Sequence, residues 1–304
     1  MLYSWIFFNL FVLAAVALDL RGLRQAGRVI PPREALLWSA VWFALAIAFA
    51  GVLFHWKGHQ PALEFVTGYV LELSLSIDTL FVFFMIFRYF AVPEQRQHAV
   101  LYWGILGALL LRGSFILAGV GLIHRFHWIL YVFGTLLIVS GLRFFRGQHQ
   151  VDPARNPVVR VLRRFLPMTE SYENGRFLVR GWRGNPGLYA TPLLLVLVII
   201  ETTDLLFAVD SIPAVLSVTL NAFIVYTSNV FAILGLRSLY FAVAALVSVF
   251  RYLHYGLATV LILVGIKMLA AERYAVSTLT TLGVVAGVVF VSIAASVAFP
   301  ARER

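Results

Sequence analysis

Five of the fourteen acidic residues in this 304-residue chain lie inside two apolar stretches of membrane-spanning length. Glu72 and Asp78 stand in LELSLSIDTLFVF, and Glu201, Asp204 and Asp210 in IIETTDLLFAVDSIPAVL. A carboxylate at bilayer depth costs on the order of 2.5 to 3.5 kcal/mol on insertion scales, so such groups face a polar interior and handle cations or protons. Arg112 and Arg237, each in an apolar stretch of its own, are the charge partners expected for this set. They cannot neutralise it: five carboxylates and two guanidiniums sum to minus three, and one divalent ion leaves minus one. At least one carboxylate of the metal-free protein is therefore expected to hold a proton or a counter-ion.

The other deep polar groups are the hydroxyls of Thr79 and Ser211 and the amide of Asn229. Carboxylate, hydroxyl and amide oxygens suit hard divalent cations such as Mn²⁺, Mg²⁺ or Ca²⁺. Zinc or copper sites have little support, because the chain has no cysteine and all seven histidines fall at segment ends or in loops. Met85 and Met268 are expected in the core. Residues six apart on a helix are separated by about 9 Å of rise and about 240° of rotation. Glu72 and Asp78, or Asp204 and Asp210, should thus not converge on one ion within an unbroken helix, whereas Glu201 and Asp204 share a face. Pro213 cannot donate to the carbonyl of Val209, so the backbone around Asp210 and Ser211 is expected to kink or unwind. A carbonyl freed there would be a further cation ligand.

The elements that must position these groups are membrane helices. The chain is 61% hydrophobic and 12% charged, far too apolar for a soluble domain. Nine apolar segments of spanning length occur at about 3–18, 35–54, 66–90, 99–123, 127–145, 188–217, 222–250, 254–271 and 276–299. The fold class expected is an all-α polytopic membrane protein. The net charge of +10 is one-sided. Loops on the side reached after the first segment carry Arg21, Arg24, Arg28, Arg33, Arg88, Arg96, nine arginines from Arg143 to Arg183, Arg251, Arg302 and Arg304. The opposite side carries Lys57, Arg125 and Arg273. By the positive-inside rule the N-terminus is outside and the C-terminus cytoplasmic, and the basic excess reports topology, not nucleic-acid binding. No positive charge precedes the first segment, which reads as a retained helix. In the long loop, PVVRVLRRFLPMTE places apolar and basic residues at helical spacing, as an amphipathic helix lying on membrane lipids would.

An internal repeat organises the helices. Glu72-x5-Asp78-Thr79 lines up with Asp204-x5-Asp210-Ser211, GALLLRGSF (107–115) resembles ILGLRSLYF (233–241), and YVFGTLLIVSGLRFF (131–145) resembles YGLATVLILVGIKML (255–269). The unit is three helices. Three is odd, so two copies lie in opposite orientations, the plan of many secondary transporters, with the site near the midplane where the copies meet. The chain then divides into an N-terminal helix pair (1–60), a first repeat (61–146), a basic cytoplasmic loop (147–187), a second repeat (188–271) and a C-terminal helix with a short tail (272–304).

The same residues carry a resemblance to the TerC family of integral membrane proteins, named for tellurium resistance and including bacterial manganese exporters. The resemblance runs from EFVTGYVLELSLSIDTLFVF through IETTDLLFAVDSIPAVLSVTLNAFIVYTSNVFAILGLRSLYF to HYGLATVLILVGIKML. It implies a divalent-metal path through Glu72, Asp78, Glu201, Asp204 and Asp210, with Asn229 and Arg237 matching the family's Ser-Asn and Leu-Gly-Leu-Arg pattern. Two positions depart from the family: Thr79 stands where asparagine is usual, and Asn221 where aspartate is common. The implied function is Mn²⁺ export across the bacterial inner membrane, with no permanently bound cofactor and no enzymatic activity. Protons are the candidate counter-ion, though a uniporter driven by membrane potential would use the same residues. The alternative is a membrane-protein assembly or metal-loading scaffold without transport. An intramembrane hydrolase lacks a positioned acid, base and nucleophile in this sequence.

Overall fold

A computed structural model describes residues 2–23, 31–145, 164, 166–183, 185–244, 252–271, 273–274 and 276–298. Nine α-helices lie among them: α1 (Leu2–Leu23), α2 (Pro32–Lys57), α3 (His59–Tyr89), α4 (Glu94–Arg125), α5 (Ile129–Phe145), α6 (Pro192–Leu216), α7 (Ala222–Ala244), α8 (Leu253–Ala270) and α9 (Thr278–Ala298). Each expected apolar segment coincides with one helix. Seven of the nine, all but α1 and α5, are long and apolar enough to cross a membrane; the apolar run of α1 (Tyr3–Ala17) and α5 are shorter. The protein is an all-α polytopic membrane protein with one small β-hairpin.

Local chemistry explains where the helices begin and end. α2 and α3 are separated by Gly58 alone, whose φ of +93° an L side chain rarely adopts. α2 and α6 open with Pro32 and Pro192, where the missing N–H would have had no partner. Asn221 Oδ1 accepts the Phe223 N–H at 3.2 Å and so caps the start of α7. Asparagine and aspartate cap about equally well, so the departure from the family pattern at Asn221 costs the fold little. Within the spans, Thr67 and Ser74 donate to the carbonyls of Leu63 and Val70 one turn back, which satisfies hydroxyls that water cannot reach. Met268 is buried as expected, but Met85 is 52% exposed on the outer face of α3. Its thioether lies on an apolar, lipid-type surface instead of in the core.

Packing places the triplet α3–α4–α5 against the triplet α6–α7–α8. α3 packs on α7, and its counterpart α6 packs on α4. α5 and α8 run antiparallel in close contact: a Cβ at Gly134 would lie 3.0 Å from the Gly265 carbonyl oxygen, and one at Gly141 2.7 Å from the Ala258 carbonyl oxygen. α1 and α2 join through an aromatic cluster in which Phe8 and Phe49 meet Phe65 of α3 and Phe231 of α7, with centroids 5.1 to 5.9 Å apart. Such packing holds helices together where no hydrophobic driving force exists between them.

The long loop differs from expectation. Strands β1 (Leu178–Trp182) and β2 (Asn185–Ala190) form an antiparallel hairpin, and Met168 bridges to Ala190, with Thr169 N–H donating to the Ala190 carbonyl at 2.9 Å. The helix that follows the hairpin, α6, begins at Pro192. The expected amphipathic helix lies largely outside the described residues, and its last residues, from Pro167, are extended, since a bridge to β2 offers them backbone partners. The loop docks on the bundle: Tyr172 donates to the Phe90 carbonyl oxygen at 2.5 Å, and Met168, Tyr172 and Phe177 pack on the core around Phe87 and Leu193.

Candidate intramembrane cation site

Arg112, midway along α4, is 3% exposed and organises the polar interior. Its Nε and Nη2 donate to Asp204 Oδ2 and Oδ1 of α6 at 3.1 and 2.9 Å, a two-pronged grip. Its Nη1 pairs with Glu72 of α3 and donates to Ser211 Oγ at 3.4 Å and Asn229 Oδ1 of α7 at 3.3 Å. Four helices thus meet on one guanidinium. Glu72 is fully buried, and its Oε2 has no hydrogen-bond partner among the described residues. An unmatched buried oxygen costs about 1–3 kcal/mol, or more when charged.

Two cavities flank this centre, each with about 10 Å³ of water-accessible space, roughly one water. The central one is lined by Glu72, Leu75, Thr79, Arg112, Phe144, Phe207, Asp210, Ser211 and Leu261. Asp210 is held there by Ser140 of α5, whose hydroxyl donates to Oδ1 at 2.7 Å. Thr79 is buried and lines this cavity. The second cavity lies nearer the Phe90 end of α3 and holds Glu201, Asp204 and Arg237 among Phe83, Leu101, Gly104, Ile105, Ala108, Ile200 and Leu236. Glu201 and Asp204 share it, as their three-residue spacing requires. The Glu201 carboxyl fills the notch over Gly107, where a Cβ would overlap it.

The five carboxylates are therefore not gathered at one point. Glu72 and Asp204 meet on Arg112, Asp210 faces Glu72 across the central cavity, and Glu201 lies in the second cavity. Asp78 lines neither cavity and makes no hydrogen bond or ion pair among the described residues. Among those residues, no three Asp, Glu or His side chains converge closely enough to hold a metal in this conformation. α6 continues unbroken through Pro213 to Leu216, so Asp210 and Ser211 stay helical and the expected unwinding does not occur. Pro213 lies in the last turn, and packing against neighbouring helices keeps that turn in place.

Sequence reasoning missed three contributors: Ser140, Gly104 and Gly107. Ser140 was visible as a hydroxyl in apolar α5, and the two glycines as a small-residue pair facing a carboxylate, but neither has meaning until the opposing helix is known.

The comparisons with known proteins agree on the membrane class. An uncharacterized membrane protein of Myxococcus xanthus, STKORF319, is 45% identical over 295 residues, covering 96% of this chain and 91% of its own. The Escherichia coli K12 protein named "Putative membrane-bound redox modulator Alx" is 43% identical over 287 residues, covering 91% and 88%. An uncharacterized membrane protein of Rickettsia bellii is 36% identical over 295 residues, covering 97% of both chains. No solved structure matches. The profile of the Integral membrane protein TerC family matches residues 57–304, which include every polar residue around Arg112, and the chain belongs to that family.

Proposed function

We propose that this protein exports a hard divalent cation, Mn²⁺ foremost, from the cytoplasm through a carboxylate path between two inverted three-helix repeats. The observation that carries the reading is the charge of the buried centre. Glu72, Asp204 and Asp210 against Arg112 leave a formal minus two, which one divalent cation balances. The oxygen-bearing acidic and hydroxyl residues that line the central cavity are Glu72, Asp210, Thr79 and Ser211, a hard-ligand set.

The reciprocal pairing of α5 with α8 supports the inverted arrangement. Under the repeat alignment Gly134 corresponds to Ala258 and Gly141 to Gly265, so the contact of Gly134 with Gly265 and that of Gly141 with Ala258 are the same contact seen from each copy. Because α5 runs antiparallel along spanning α8, it shares that depth and serves as a span despite its 17 residues. With the one-sided arginine distribution, this supports the reading of an N-out, C-in protein of the bacterial inner membrane. A periplasm-only reporter fused after Gln148 is then silent and one after Ala275 is active.

A relative's name speaks of redox modulation. These 304 residues contain no cysteine, so thiol exchange is not open to the chain's own side chains, and any redox effect would run through the ion it moves. Purified protein in liposomes decides the matter. Mn²⁺ flux dependent on Glu72 and Asp210 supports export, with a simultaneous proton flux identifying antiport. Intact, folded protein without flux moves the assembly-scaffold reading ahead.

A further inference from the structure

Asp204 lines the Glu201 cavity and Arg112 lines the Glu72–Asp210 cavity. The two side chains are joined by parallel hydrogen bonds of 3.1 and 2.9 Å. The pair is thus the wall between the two spaces. The Nη1 of Arg112 meanwhile stands among oxygens of Glu72, Ser211 and Asn229, which is how a bound cation would be surrounded.

We propose that Arg112 is a tethered counter-cation that takes the metal's place in the empty protein and, through Asp204, closes the partition between the two cavities. This rests on the export reading above and assigns the step that reading leaves open, the return of the empty carrier. Without a positive charge, bringing the buried carboxylates of Glu72 and Asp204 to one point is strongly unfavourable. The guanidinium supplies that charge when no metal is present, so the metal-free protein can close and reorient. An arriving divalent ion displaces it from Glu72 and Asp204; the two cavities then join, and departure of the ion lets Arg112 return.

The geometry also says why arginine serves here. Its planar fork reaches both oxygens of Asp204 while a third nitrogen engages Glu72, which a single ammonium cannot reproduce. A residue that merely held the helices together would, when removed, lower every mode of transport together. A counter-cation affects one mode selectively. Metal-for-metal exchange never leaves the site empty and does not call on Arg112, whereas net export requires the empty site to reset in every cycle.

The test compares the two modes in proteoliposomes made from the full chain. Exit of labelled Mn²⁺ is followed into metal-free medium for net export, and into medium containing unlabelled Mn²⁺ for exchange. In Arg112→Gln the ratio of exchange to net export is expected to rise at least about tenfold over wild type, the equivalent of about 1.4 kcal/mol on the reset step alone. In Arg112→Lys, which keeps a charge but not the fork, it is expected to rise about threefold. Should Arg112→Gln not yield folded protein, Arg112→Lys carries the test by the same ratio. An unchanged ratio, whether both modes persist or both fall together, overturns the proposal while leaving export by the wild type standing. Wild type that moves Mn²⁺ in neither mode overturns the export reading, and this inference with it.

Discussion

Two of the seams that join the triplets are built in opposite ways. Along α5 and α8 the backbones touch: Gly134, Gly141 and Gly265 leave no room for a side chain, and a Cβ at any of them would fall 3.0 Å or less from an atom of the other helix. Along α4 and α6 the space between the helices is filled by charge, with Arg112 on Asp204 and the Glu201 carboxyl in the notch over Gly107. Small residues suffice to hold membrane helices together, so the charged seam is not required for association. Its cavities and its ion pairs lie where the fold could have used alanine and leucine. On the export reading, α5–α8 is the seam expected to stay fixed and α4–α6 the one expected to open.

The largest expected effect lies on the charged seam. Glu72→Gln and Asp210→Asn should each cut Mn²⁺ export more than about tenfold, since each removes one of the two carboxylates facing the central cavity. Folded protein should be recovered in wild-type amount, because each change also removes a charge that is costly at this depth. Asp78→Asn should do less, as Asp78 lines neither cavity. Efflux from metal-loaded proteoliposomes, normalised to protein, ranks the three. If Asp78→Asn proved as damaging as Glu72→Gln, the two-cavity path would be wrong and the single five-carboxylate cluster would return.

On the fixed seam the damage should fall on stability instead. Gly141→Val would press side-chain atoms into Ile262 and the Ala258 carbonyl, to which even a Cβ would be 2.6 and 2.7 Å away. Backbone cannot give way as a flexible side chain can, so the cost should reach or exceed the 1 to 3 kcal/mol usual for overpacking, of the order of several degrees in the midpoint of thermal unfolding. Scanning calorimetry or fluorescence-detected unfolding in detergent measures it. Protein that keeps its midpoint would show that α5 and α8 do not form a rigid axis.

Much of this organisation was legible in the residues themselves. The apolar lengths placed all nine helices, and the three-residue spacing of Glu201 and Asp204 put both into one cavity. The pairing of Arg112 with buried acids followed from charge alone. What escaped was information held by the facing helix. Glu72 and Asp78 were expected not to converge; the rotation between them is real, and it is Glu72 that turns toward Arg112 and the interior. Ser140 gained its meaning from Asp210, seventy residues away. The hairpin hid because its strands are only five and six residues long, although the run Gly184-Asn185-Pro186-Gly187 was a readable turn signal.

A subtler change sharpens the contrast between the seams. Gly107→Ala places a Cβ onto the Glu201 carboxyl, the far end of a flexible side chain, so the carboxyl should swing aside at a stability cost within about 1 kcal/mol. Export should fall a few-fold as Glu201 leaves its place in the cavity. Shortening the displaced group should restore it: the double variant Gly107→Ala, Glu201→Asp is expected to export better than Gly107→Ala alone. Flux measurements on the three proteins test this, and a double variant worse than both singles would mean that the notch over Gly107 does not set the position of the carboxyl.

The smallest effect belongs to the loop that docks on the ends of α3 and α6. Tyr172 fastens it by donating to the Phe90 carbonyl at the end of α3. Tyr172→Phe removes that one bond, worth about 1 kcal/mol net, and leaves the ring packing intact. Burial pushes the Tyr172 phenol above its ordinary range, so the protonated, donating form is the one the fold favours. Its contribution is then fully present below the unfolded value of about 10 and is lost only as pH rises through the higher folded value. Trypsin reads the attachment directly, because Arg176, Arg180 and Arg183 all lie on the docked loop. Cleavage in this segment should be a few-fold faster in Tyr172→Phe at pH 8, and wild type should hold its resistance to about pH 10. Equal cleavage of the two proteins at pH 8 would show that the apolar contacts of Met168 and Phe177 hold the loop by themselves.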